Sequence, residues 1–199
     1  MIDQVPSLPA LSFTCGSAEL IRLTTVLQSG FIAVGHEGDS ILSFLLTLDG
    51  FTEQYLAEDV QTIFYNGDAL DDFDQALTGP KATLALAAAM PGLAGAIMKK
   101  GSICGAFRKS RTVQNVQERG KQVEVLVKLF NTVARKRGPQ LFASGVRLNT
   151  RDLVHFLELR PSLLEAFADI TLDDVKITAS ELVDALAKSV QLYLAVREQ

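Results

Sequence analysis

The chain has no tryptophan, and only two histidines, two cysteines and six prolines among 199 residues. The histidines, His36 and His155, and the cysteines, Cys15 and Cys104, stand far apart, without the HxxxH or CxxC spacing that transition-metal sites take. No metal and no cofactor are expected. Two isolated thiols make no disulfide framework and point to a reducing compartment. The opening MIDQVPSLPALSF lacks the basic start and long apolar run of a secretory leader. The longest apolar stretch, Leu84 to Met98, is broken by Pro91-Gly92 and is shorter than the ~20 residues of a spanning helix. Together these absences predict a cytoplasmic protein with no membrane segment.

Positive charge is almost missing from the first half. Residues 1–98 hold Arg22 and Lys81 against twelve acidic residues, whereas residues 99–137 hold eleven basic residues against Glu118 and Glu124. A net charge of −4 therefore hides a dipolar chain. The basic segment lies largely in a glycine-rich connector, PGLAGAIMKKGSICGAFRKSRTVQNVQERGK, which predicts an exposed, mobile excursion. Lys99, Lys100, Arg108, Lys109 and Arg111, with Phe107 for stacking, are its candidate binding residues. They could grip phosphates of a nucleic acid, or pair with an acidic protein surface in this chain, a second copy or a partner. The GxxxxGK[ST] and GxGxxG spacings of phosphate loops are absent, and no RNA- or DNA-reading motif accompanies the charge.

Other chemistry has structural competitors. His36-Glu37-Gly38-Asp39 sets an imidazole beside carboxylates, but Asp39 suits a helix cap before Ser40 to Leu48. His155 sits in an apolar helix, where a structural role is the default. Asp68, Asp71, Asp72 and Asp74 resemble a calcium loop by density, yet the twelfth position counted from Asn66 is Leu77 and not glutamate. Cys104 has cationic neighbours that favour thiolate but no histidine beside it. Cys15 reads as core.

A sequence echo organises the rest. IFYNGDAL from Ile63 and ITLDDVKI from Ile170 each run from a β-prone stretch into a pair suited to a tight turn, Asn66-Gly67 or Asp173-Asp174. Acidic segments ending in Ala76-Leu77 and Ala185-Leu186 follow, then alternating strands at Ala82 to Ala87 and Val190 to Ala195. Upstream, Ser29-Gly30-Phe31 matches Ser144-Gly145-Val146, and Leu11 to Cys15 matches Val123 to Phe130. This predicts an α+β chain of two related halves, residues 1–90 and 123–199, joined by the connector 91–122. Each half combines short helices with an antiparallel hairpin-containing sheet, and the two are expected to superpose with the same connectivity. Helices are expected over Ala18 to Gln28 and Ser180 to Ala187, and a strand over Leu56 to Tyr65. A helix over Thr132 to Phe142 would be interrupted by Gly138-Pro139.

The stretch from Phe31 to Gly95 loosely resembles the β-grasp fold of the ubiquitin-like sulfur carriers. Those carriers end in Gly-Gly, where this chain has Pro91-Gly92-Leu93 and runs on, so the resemblance implies a fold and not carrier activity. The function expected is a non-enzymatic protein-interaction module that self-associates as a homodimer. The alternatives are an anion or nucleic-acid binder using residues 99–137 and a small cysteine-dependent enzyme.

Overall fold

The computed structural model describes residues 8–89, 92–101 and 120–199. Ten strands form one mixed sheet, and eight short α-helices accompany it among the described residues. The strands are β1 (Ala10–Cys15), β2 (Phe31–His36), β3 (Thr62–Tyr65), β4 (Asp68–Leu70), β5 (Lys81–Ala87), β6 (Gln122–Leu129), β7 (Val146–Asn149), β8 (Ala168–Leu172), β9 (Val175–Lys176) and β10 (Gln191–Glu198). The helices are α1 (Ser17–Leu23), α2 (Ile41–Leu45), α3 (Glu53–Glu58), α4 (Gly92–Met98), α5 (Asn131–Ser144), α6 (Thr150–Glu158), α7 (Pro161–Leu164) and α8 (Ala179–Leu186).

The sheet order is β4-β3-β5-β6-β2-β7-β10-β1-β8-β9. From either end the pairings read antiparallel, antiparallel, parallel, antiparallel, and they meet at an antiparallel β2–β7 contact. That central contact is a single pair, Ile32 with Arg147. The order of strands recurs in the two halves, although α8 has no counterpart between β4 and β5, and the neighbours in the sheet differ. β3 lies beside β5, whereas β8 lies beside β1 and not β10. The expected common connectivity is therefore not found. β6 enters between β5 and β2, and β1 enters between β10 and β8, so each half-sheet contains a strand from the other half of the chain. Residues 31–95 accordingly form no contiguous sheet of their own, because β6 stands between β2 and β5.

Both tight turns are present. Asn66 and Gly67, and Asp173 and Asp174, all have positive φ, as a two-residue hairpin loop with right-handed strand twist requires. Gly30 and Gly145, which open β2 and β7, also share positive φ.

Three expected elements differ. Leu56 to Tyr65 is not one strand: Thr52 caps α3 by accepting from the Tyr55 backbone N–H at 3.2 Å, and only β3 remains extended. Ala18 to Gln28 is α1 followed by a 3-10 turn, where the Thr24 and Thr25 hydroxyls donate back to the Ile21 and Arg22 carbonyls. α5 runs through Gly138-Pro139 to Ser144. Proline forgoes one helical hydrogen bond there, and buried Gly138 brings α5 close onto Thr24 and Leu27.

Alternation along the strands sorts the sheet into two faces. The inner face carries Leu11, Phe13, Leu84, Val125, Val127, Leu148 and Leu194, all buried and in mutual register across neighbouring strands. Helical residues such as Phe44 of α2 and Phe142 of α5 complete the same apolar cluster.

Candidate functional site

The second face carries Ile32 and Val34 of β2, Glu124, Leu126 and Lys128 of β6, Lys81, Thr83 and Ala85 of β5, and Arg147 of β7. Tyr193 and Arg197 of β10 and Ser12 of β1 complete it. Val34 is 46% exposed and Tyr193 48%, while Ile32 and Leu126 are half-buried. At the start of β3 the face is covered: Thr62 is buried and shares a small cavity with Gly92 and Gly95 of α4. Elsewhere the described residues leave it open.

At the centre of this face Arg147 donates to Glu124. Its guanidinium thereby reaches from β7 across β2 to β6, tying the two half-sheets where the backbone ladder is thinnest. Beside this pair is a cavity of about 300 Å³ with Lys81, Thr83, Glu124, Asn149 and Gln191 in its walls. A second cavity, of about 500 Å³, opens where β5 and β6 end and β3 begins. Phe64, Ala85, Leu86, Ala87 and Phe130 make its walls apolar, and Gln28 and Asn131 are its polar groups. Asn131 holds a left-handed backbone conformation and accepts from the Ala88 N–H at 3.0 Å.

The edges of the sheet are short. β4 has three residues and β9 two, and each adjoins a turn with aspartates. Such edges offer little backbone for strand addition, which makes the face the larger available surface.

The residues singled out in the sequence fall in different places. Phe107, Arg108, Lys109 and Arg111, and Cys104, lie outside the described residues. Lys99 is exposed just after α4. Lys100 is engaged: its Nζ donates to the Leu56 and Ala57 carbonyls at 2.6 and 3.0 Å and lies 5.0 Å from the Phe73 ring centroid. Burial lowers its pKa. The ammonium thus satisfies carbonyls in the last turn of α3, where helix polarity favours a cation. Further along, Lys136 pairs with Asp59, and the Arg137 guanidinium stacks 3.5 Å from the Tyr55 ring centroid. Part of the basic segment is therefore spent on the first half of its own chain.

The remaining candidates are tied into the fold. Asp39 does not cap α2; Ser40 does, accepting from the Ser43 N–H at 3.0 Å. Asp39 instead accepts from the His36 backbone N–H at 3.0 Å, with the imidazole Nδ1 at 3.5 Å. In the acidic segment, Asp71 accepts from the Gly101 N–H and Asp72 from the Asp74 N–H. No three-residue group suited to a metal occurs among the described residues. His155 is exposed on α6 and not packed inside it.

Cys15 is fully buried, and its thiol is pushed up to about 11 by burial and then by the charges of Glu19 and Glu198. The folded state thus favours the protonated thiol beyond the ordinary value of 9.0. Its contribution to stability is complete below that value and is lost as pH rises towards about 11. Urea unfolding across this window should show a steeper alkaline loss of stability for the native chain than for Cys15→Val; identical slopes would contradict it.

Searches among protein families, curated proteins and solved structures found no match to this chain. No helix among the described residues is long and apolar enough to cross a membrane.

Proposed function

We propose that this chain is a non-enzymatic protein-interaction module and that the sheet face left open by the described residues is its docking surface. One observation carries the reading: the other helices cover one side of a ten-stranded sheet, while on the second side, where α4 packs at the start of β3, Val34 and Tyr193 stand about half exposed. Antiparallel-rich sheets tolerate a wet face, but that face is then normally polar. Here Ile32, Val34, Leu126 and Tyr193 interrupt it, and the apolar cavity beside Phe64 and Phe130 adjoins it. Apolar area rimmed by polar groups is the usual composition of a docking site.

The two halves belong to this reading as copies that have each donated a strand to the other's sheet. The paired turns and the order of elements support that history. Self-association through α4 and the residues after it is part of the same proposal, with half-buried Ile97 and Met98 as apolar contributors. The alternative of anion binding draws on Lys99 and on the exposed Lys121 and Arg135, while Lys100, Lys136 and Arg137 already have partners.

A photo-cross-linking side chain at Tyr193, compared with one at Leu159 on the helical side, tests the docking surface. Leu159 is the more exposed, at 65%, so simple accessibility favours it. Discrete adducts from position 193 and none from 159 are expected; the reverse pattern would contradict the proposal.

A further inference from the structure

We infer that the partner is an acidic polypeptide segment carrying apolar side chains. The inference rests on the reading above that the uncovered face is the docking surface. Its ground is a charge imbalance confined to that face. Lys81, Lys128, Arg147, Lys176 and Arg197 all belong to it by register. The acids there are Glu124, paired with Arg147, and Asp169, paired with Lys176. Lys81, Lys128 and Arg197 have no ion-pair partner among the described residues. A positive face on a chain of net charge −4 runs against the average of the molecule, and a partner of opposite sign complements it.

The charges are spread among apolar groups. Ile32, Val34 and Leu126 lie between Lys81 and Tyr193 across the central strands. The cavity of about 500 Å³ has no ionisable group in its walls among the described residues and suits an aliphatic or aromatic side chain of the partner. Lys128 is on the strand that ends at this cavity, two residues before Phe130 of its wall. An acid and an apolar residue close together in a partner would meet both.

Two other occupants fit less well. A second copy laid face to face would set one positive surface against another, and two-fold symmetry repeats every such contact. A nucleic acid would want more cations along one track and several exposed aromatics for stacking; Tyr193 is the one large aromatic exposed here among the described residues.

The test is selection of a random phage-displayed peptide library on the full chain. Enriched peptides are then synthesised and measured by fluorescence anisotropy at low and high salt, with a mixed-sequence single-stranded oligonucleotide as comparison. Enrichment of Asp or Glu together with Leu, Phe or Tyr is expected, with binding weakened by salt. The combined change Lys81→Glu, Lys128→Glu and Arg197→Glu should weaken it roughly tenfold, as three exposed pairs of modest strength imply. Circular dichroism of that variant should stay unchanged, and its melt should fall only slightly, since Lys81→Glu sets a second carboxylate opposite Glu124 in the β5–β6 ladder. Enriched peptides that are neutral or basic, or that ignore the charge reversal, overturn the acidic preference. If Val34→Glu or Tyr193→Ala still abolishes their binding, the docking surface itself survives. No enriched peptide, or none sensitive to either set of changes, overturns both. Tighter binding of the oligonucleotide than of any peptide overturns the inference in favour of nucleic acid.

Discussion

Phe44→Ala is expected to lower the unfolding free energy by about 3–5 kcal/mol, the range for removing a buried aromatic from a packed core. Phe44 is 1% exposed and lies where α2 crosses β2. The strand gives way to it: a Cβ on Gly35 would come within 2.9 Å of the Phe44 ring and 2.6 Å of the Leu77 side chain. Glycine is thus required there for closeness of approach. The two positions must couple. Gly35→Ala alone should cost roughly 1–3 kcal/mol by overpacking. Combined with Phe44→Ala it should cost less than the sum, because the new methyl occupies part of the vacated space. Urea unfolding of both single variants and the double variant measures this. Strict additivity would contradict the contact.

Gly138→Val should destabilise by about 3 kcal/mol, more than Gly138→Ala. A Cβ at Gly138 would meet Thr24 Cγ2 at 2.5 Å and Thr24 Cβ at 2.8 Å, with Leu27 Cδ1 at 3.2 Å. Thr24 and Leu27 are fully buried, so neither has free space into which to turn. Alanine would offset part of the overlap through its better helix propensity, worth up to ~1 kcal/mol over glycine; valine has no such gain. Thermal melts in the order native, Ala, Val are expected. Equal stability of all three would mean that α5 does not pack here as described.

Local chemistry was legible in the sequence and long-range pairing was not. Asn66-Gly67 and Asp173-Asp174 announced their hairpins because each pair tolerates positive φ. The alternation in QVEVLVKL marked β6 and its buried valines. The apolar neighbours of Leu56 suit either period, so the sequence reads as strand there; the Thr52 cap decides for helix in the fold. Pro139 read as a breaker, yet contact of the Gly138 region with buried Thr24 and Leu27 outweighs one missing hydrogen bond. The exchange of β1 and β6 between half-sheets has no local signature, since it depends on strands far apart in sequence, β6 with β5 and β2 and β1 with β8 and β10.

The proposed docking face is hidden in the sequence for the same reason. Tyr193 and Arg197 in QLYLAVRE, and Glu124 and Lys128 in QVEVLVKL, each read as the wet side of a strand. Only the sheet order sets them on one surface with Ile32 and Val34. The basic connector drew attention instead because its charge is contiguous in sequence. Of its described lysines, Lys100 secures α3, while Lys99 and Lys121 are exposed.

Amide and methyl chemical-shift mapping of the full chain, titrated with an enriched acidic peptide, tests the central claim most directly. The account predicts shifts concentrated at Ile32, Val34, Leu126 and Tyr193, with Phe64 and Phe130 following where the peptide's apolar residue enters the cavity. Shifts confined to the helical side, around Leu159 and α7, would contradict it.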